Sequence, residues 1–368
     1  MIQSVPLVDL TKQQDQIADA IREGFNRVIA ESSFILGPQV GEFEEAWARY
    51  CGAAFAVGVG NGTDAIELAL RAAGIGRGDE VILPANTFVA TAGAVHRAGA
   101  DIVLADCNED FLLDPQQVAN RVTPRTKAVI GVHLYGQAAP IELIRAAAGP
   151  GMVVVEDMAQ AQGAERWGQR AGTLGDIAAT SFYPGKNLGA YGDAGAVMTS
   201  SSEFAERARR LRNHGGTVRY DHPEVGFNSR MDSLQAVVLS AKLCLLDEWN
   251  RQRRAAAAVY RELLSEVDGV ILPQTASGNE HVHHVYVIRI AERDRVVREL
   301  NSAGIGAAIH YPVPIHLLPA YAELGHRPGA FPAAERFAAE ILSLPIYPGI
   351  SVLDQELVVG KLRAALGR

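Results

Sequence analysis

The sequence predicts an α/β protein: a mainly parallel central sheet with helices on both faces, followed by a small C-terminal α/β domain. Three observations carry the prediction. Short β-rich runs alternate with helical stretches from residue 55 to residue 199, the rhythm of strands joined by crossover helices. Runs such as Val153-Val154-Val155 are apolar without alternation, as expected of strands covered on both faces. Near Asp232 the rhythm stops, and a long helical pattern leads into a second, shorter α/β segment.

Taken in order, residues 12–30 predict an amphipathic helix with Ile17, Ile21, Phe25, Val28 and Ile29 on one stripe. A second helix spans about Pro38 to Tyr50, its proline in the first turn, where a missing N–H is harmless. There follow strand Phe55–Val59, a helix from Thr63, strand Glu80–Leu83, a helix from Phe88, strand Asp101–Ala105 and a helix from Pro115. Strands at Lys127–Val132, Met152–Glu156, Ile177–Ser181 and Ala194–Thr199 continue the pattern, with a helix through Ile141–Ala148. One helix is expected over Asp232–Leu264, where Leu234, Val238, Ala241, Leu245 and Trp249 are spaced for burial. Beyond Pro273 come strand His284–Ile290, helix Asp294–Ala303, strand Ile305–Ile309 and helices over 333–342 and 353–366. The expected organisation is a large N-terminal domain over 1–231, a connecting helix over 232–265 and a small domain over 266–368.

Composition narrows the function. Apolar residues make up 48% and charged residues 21%, which excludes disordered and fibrous chains. Lys plus Arg number 34 against 42 Asp plus Glu, a net charge of −8, so the footprint of a nucleic-acid binder is missing. Cys51, Cys107 and Cys244 are odd in number and form neither a zinc spacing nor a disulfide framework, which suits a reducing cytoplasm. The N-terminal residues predict no secretory signal, and no apolar run approaches the roughly 18 residues of a membrane helix.

The chemistry is carried by two strand ends. Asp157 closes Val153-Val154-Val155-Glu156-Asp157, at the carboxyl edge where open α/β sheets bind ligands. Alone it would more often be a turn or cap carboxylate than a ligand-binding one. Lys186 follows the next strand in Ser181-Phe182-Tyr183-Pro184-Gly185-Lys186-Asn187, within reach of the same crevice. Together they are the pair that pyridoxal phosphate requires: an amine to condense with its aldehyde, and a carboxylate to keep its pyridine nitrogen protonated. Gly58-Val59-Gly60-Asn61-Gly62-Thr63-Asp64 supplies a strand end, glycines and a helix N-terminus for the phosphate. It is no dinucleotide fingerprint, because Thr63 stands where the third glycine would fall.

With these residues the chain resembles the DegT/StrS-type nucleotide-sugar aminotransferases of pyridoxal-phosphate fold type I. The resemblance runs nearly the whole length, through Gly62-Thr63-Asp64-Ala65, Pro84-Ala85-Asn86-Thr87-Phe88, Glu156-Asp157-Met158-Ala159-Gln160, Ser181 to Lys186, and Gly226-Phe227-Asn228-Ser229-Arg230-Met231-Asp232. It implies that Lys186 is the Schiff-base lysine and proton shuttle, that Asp157 holds the pyridinium, and that Gln160 bonds the ring hydroxyl. Phe88 would stack on the ring, and Gly62, Thr63 and Ser181 would bind the phosphate. Asn228 would reach the phosphate of a partner subunit, which implies a homodimer with sites at its interface. Met158 and Gln162 depart from the commonest pattern without removing an essential group.

The substrate end is Gly306-Ala307-Ala308-Ile309-His310-Tyr311-Pro312-Val313-Pro314-Ile315-His316, a loop stiffened by prolines. Within the resembled family this form is most like enzymes that aminate C3 of a nucleotide-linked keto sugar, thymidine-linked 6-deoxyhexoses first. Tyr183, His310 and Tyr311 are the expected substrate contacts, and L-glutamate the expected donor. C4 amination, a cyclitol ketone and a noncatalytic cofactor-binding regulator are the alternatives. His281-Val282-His283-His284 lacks a completing ligand, so no metal is expected. Arg251, Arg253 and Arg254 are expected on a solvated helix face.

Overall fold

The computed structural model describes residues 4–367. The N-terminal stretch forms two helices in place of one, α1 (Thr11–Gln14) and α2 (Ala18–Glu31). The chain turns between them, with Ile17 N–H bonded to the Gln14 carbonyl, and Ile29 ends 60% exposed although the stripe had assigned it inward. Helix α3 (Pro38–Cys51) begins at its proline and ends at Gly52, whose φ of 84° only glycine adopts freely.

The body then alternates as the sequence requires: β1 (Phe55–Val59), α4 (Gly62–Ala72), β2 (Glu80–Pro84), α5 (Val89–Ala98), β3 (Asp101–Ala105), α6 (Pro115–Ala119), β4 (Thr126–Val132), α7 (Ile141–Ala148) and β5 (Val153–Asp157). A two-residue ribbon, β6 (Glu165–Arg166) and β7 (Gln169–Arg170), precedes β8 (Ile177–Ser181), β9 (Gly195–Thr199) and α8 (Ser202–Arg212). Helix α8 had not been anticipated; it is capped by Ser201, whose side chain accepts from Phe204 N–H.

The large sheet runs β1-β9-β8-β5-β4-β2-β3. Strands β8, β5, β4, β2 and β3 are mutually parallel, and β9 is antiparallel to both β8 and β1. All but β9 therefore point their carboxyl ends to one edge. Alternation along the strands serves both faces. Val81, Leu83 and Val155 pack with α4 and α5, whereas Ile82 and Val154 pack with α6 and α7. That two-sided burial is the physical reason for the continuous apolar runs.

The expected single helix over 232–264 is two, α9 (Ser233–Leu243) and α10 (Leu246–Leu264). The chain tightens where Leu245 N–H bonds the Lys242 carbonyl, and α10 restarts with Asp247 and Glu248 in its first turn, where the helix dipole favours anions. The remaining elements are β10 (Val270–Ile271), β11 (Asn279–Glu280), β12 (Tyr286–Ile290), α11 (Arg293–Ser302), α12 (Pro332–Glu340), β13 (Ile341–Leu344) and α13 (Val352–Ala365). Strand β13 replaces the end of a predicted helix; the run Ile341-Leu342-Ser343-Leu344 has no period that separates strand from buried helix. The expected strand Ile305–Ile309 is reduced to bridges from Ile305 to Val5 and from Ala308 to Ser343. Strands β10, β12 and β13 form a small antiparallel sheet that shares a core with α10, α11 and α13.

Candidate active site

A cavity of about 620 Å³ opens at the carboxyl edge of the large sheet. Gly62, Thr63, Phe88, Asp157, Gln160, Ser181, Tyr183, Lys186 and Tyr311 all line it. All but Tyr311 arrive from the end of a strand or from the turn or helix start just beyond it. Asp157 ends β5, and alternation sends it and Glu156 to opposite faces. Glu156 is fully buried with His133 at 2.7 Å and accepts from Gly172 and Gly175 N–H at 2.8 and 2.7 Å, so it belongs to the framework.

Asp157 is buried and oriented. Thr91 Oγ1 donates to one carboxylate oxygen at 2.8 Å, and Ala159 N–H donates to the other at 3.1 Å. Thr91 in turn lies 2.9 Å from Thr87 Oγ1. Neither threonine was singled out from the sequence. Their signal was there, two hydroxyls four residues apart flanking a helix start at a strand end.

Lys186 sits on the loop after β8. Burial pushes its amine down to about 8, and the Asp157 charge partly opposes that shift. An amine so placed is neutral in a substantial fraction near physiological pH, the form that attacks a carbonyl or takes a proton.

The anion cradle is built by shape as well as by donors. Asn61 caps α4 by accepting Asp64 N–H at 2.9 Å, which fixes the helix start beside the cavity. A Cβ on Gly62 would come within 2.5 Å of the Ser181 Cβ, so only glycine lets β8 and the helix N-terminus converge. Gln162 Nε2 donates to the Ser181 carbonyl at 2.7 Å and thus holds that strand end.

Gln160 has a determined orientation. Its Oε1 accepts Tyr135 N–H at 2.7 Å, and its Nε2 donates to Tyr311 Oη at 2.9 Å. One amide N–H remains, so Gln160 can act on a ring oxygen only as a donor. Tyr311 packs against Phe88 with ring centroids 4.9 Å apart, and burial together with Asp157 drives its phenol pKa well up.

Other expected residues lie elsewhere. His310 does not line the cavity; its Nδ1 is 2.8 Å from Ser343 Oγ, and burial beside Lys186 lowers it to about 4. Asn228 is exposed on this chain and stands apart from the cavity. His281 and His283 stack face to face at 3.9 Å, and His283 N–H donates to His281 Nδ1 at 2.8 Å. Among the described residues no group of three or more His, Cys, Asp or Glu could hold a metal ion. Arg253 corrects the solvated-face expectation: it is 2% exposed and donates to the carbonyls of His283, His284 and Ile346.

The residues present fit pyridoxal phosphate: a carboxylate at the ring end, a helix N-terminus with Ser181 at the other, and an amine between. Comparison with known proteins agrees. The chain is 47% identical to the "Pleiotropic regulatory protein" of Geobacillus stearothermophilus, over 98% of both chains. It is 45% identical to the dTDP-3-amino-3,4,6-trideoxy-alpha-D-glucose transaminase of Streptomyces venezuelae, over 94% of this chain and 91% of that one. The crystal structure of S. venezuelae DesV in complex with a ketimine intermediate superposes with a TM-score of 0.96, at 43% identity and 99% coverage of each chain. Residues 15–363 match the DegT/DnrJ/EryC1/StrS aminotransferase family, and the chain belongs to that family.

Proposed function

We propose that the chain is a pyridoxal-phosphate-dependent aminotransferase that moves an amino group from L-glutamate to a nucleotide-linked keto sugar, at C3 of a dTDP-3-keto-6-deoxyhexose. The observation that supports this most is the convergence of Lys186, Asp157 and the α4 N-terminus on one cavity at the carboxyl edge of the sheet. Bound there, the cofactor supplies an aldehyde for covalent attachment and a protonated ring that draws electrons from the reacting carbon.

The chain's own groups do the rest. Lys186 Nζ attaches the cofactor and, once displaced by an incoming amine, carries the proton to and from the substrate carbon. Asp157, with Thr91 and Ala159 N–H donating to its oxygens, keeps the ring nitrogen charged. Gln160 donates to the ring oxygen, and Phe88 covers the ring. Gly62 and Thr63 N–H groups and the Ser181 hydroxyl hold the phosphate, joined by Asn228 from a second copy of the chain in a homodimer. Tyr183 and Tyr311 form the sugar end; His310, outside the cavity wall, adjoins it through its chain neighbour Tyr311. The C3 choice rests on the loop from His310 to His316 and on the name carried by the S. venezuelae relative. Free cysteines, two buried and one exposed, are consistent with residence in the cytoplasm.

A regulatory reading draws on the name of the Geobacillus relative. The intact Lys186–Asp157 pair favours catalysis. Turnover separates the two readings. The purified holoenzyme is loaded with L-glutamate and offered a panel of dTDP- and UDP-linked 3-keto and 4-keto sugars. Amination of a dTDP-linked 3-keto sugar is expected, with a loss of about a thousandfold or more in Lys186→Ala. A holoenzyme that binds cofactor yet aminates none of the panel would leave the regulatory reading standing.

A further inference from the structure

Lys242 lies on α9, is 2% exposed and does not line the cavity. Its Nζ donates to the Gly189 carbonyl at 2.7 Å and lies 4.9 Å from the centroid of the Tyr191 ring. On the same helix Gln235 Oε1 accepts Tyr191 N–H at 2.8 Å. Seven residues separate Gln235 from Lys242, which at 3.6 per turn puts both on one face of α9. They grip one short stretch, residues 189–191, from below. Tyr191 Oη is also bonded to Gln14, and α9 packs against α2 and α3.

That stretch is the neck of the loop that carries Lys186. Ala190 N–H donates to the Phe182 carbonyl at 2.8 Å, closing the loop, and Lys186 N–H donates to the Tyr183 carbonyl at 2.8 Å within it. A Cβ on Gly189 would fall 2.3 Å from the Pro184 carbonyl oxygen, so the two arms of the loop touch at the neck. Beyond it, Asp193 returns to the cavity wall. Burying an ammonium against one carbonyl and one ring face costs stability that an apolar side chain of equal length would not. Its contribution is therefore sought in placement.

We infer that Lys242 and Gln235 are positioning residues for Lys186: through Gly189 and Tyr191, α9 fixes the neck of the 182–190 loop and with it the approach of the Lys186 amine to the reacting carbon. The inference rests on the proposed role of Lys186 in holding the cofactor.

The test uses holoenzyme reconstituted with pyridoxal 5′-phosphate, in Lys242→Met, Lys242→Gln and Gln235→Ala forms. Three quantities are followed: the pH midpoint of the visible band of the lysine-bound cofactor, the single-turnover rate with L-glutamate against its KM, and the melting temperature of the cofactor-free protein. In Lys242→Met the midpoint is expected to move by about half a unit or more and the rate to fall about fivefold, with KM within about twofold. Lys242→Gln, which keeps a donor, recovers part of the loss. A Lys242→Met enzyme with the parent's midpoint and rate, and only a lower melting temperature, overturns the inference. Should that variant not fold, Gln235→Ala decides: an unmoved midpoint and rate overturn it equally. A parent protein without any lysine-bound band fails earlier, at the function proposed for Lys186, and takes the inference with it.

Discussion

At the Asp157 end of the cavity, Thr87, Thr91, Asp157 and Gln160 are buried and tied to one another or to backbone N–H groups, whereas at the mouth Tyr183 is 59% exposed and Phe88 48%. The closed end is preorganised: its carboxylate and donors are held by hydrogen bonds already made within the chain. The open end presents the rings of Tyr183 and Phe88 to solvent.

Four experiments sharpen or break this contrast. Asp157→Asn removes the buried carboxylate of β5 and is expected to lower kcat by about a hundredfold or more, read in single turnover with L-glutamate. A loss under tenfold would mean the packed wall does not govern the chemistry. Tyr183→Ala at the mouth should instead raise KM for the sugar nucleotide by about tenfold and leave the glutamate half-reaction within twofold, as follows from the sugar-end role proposed for this exposed ring. Equal losses in both half-reactions would erase the distinction between the two ends. Thr91→Val deletes one charge-assisted hydrogen bond to the Asp157 carboxylate, a change of about 1.5 kcal/mol, so kcat should fall about tenfold with the sugar KM unchanged.

The smallest effect is on stability. Lys186 has a folded pKa of about 8 against an ordinary value of 10.5, so the folded state sheds its proton more readily than the unfolded chain. Below about pH 8 the buried charge costs stability; as pH rises from about 8 to 10.5 the unfolded chain binds more protons, and the cost fades. Cofactor-free Lys186→Met should therefore melt roughly 2–5 °C above the parent at pH 7, a gap that narrows toward pH 10.5, in calorimetry. A gap that widened with pH would contradict the sign of the shift.

Much of this site was legible before any coordinates. Asp157 closes and Lys186 follows a short apolar run within an alternating strand–helix rhythm, and strand ends at the carboxyl edge of a parallel sheet lie side by side. Gly62 was legible for a related reason, since a glycine between a strand and a helix start signals close approach. What stayed hidden depends on contacts distant in sequence. The threonine pair behind Asp157, the tyrosine that holds Gln160, and Arg253 bonded to three carbonyls have side chains that could equally face solvent. The break between α9 and α10 was written in Asp247-Glu248, acids at a helix start, but an apolar stripe continuing through Leu245 and Trp249 concealed it.

The sequence by itself determined the sheet's alternation, its two-sided burial and the residue types at the ends of β5 and β8, because period, apolarity and glycine placement are local properties. Only the tertiary structure decided how the Asp157 carboxylate is held, since the Thr91 hydroxyl that donates to it comes from α5, 66 residues earlier in the chain. It alone decided, too, that the segment 305–309 would bridge to Val5 and Ser343 instead of forming a strand. Pairing partners so far apart in the chain are selected by packing, and no local pattern records them.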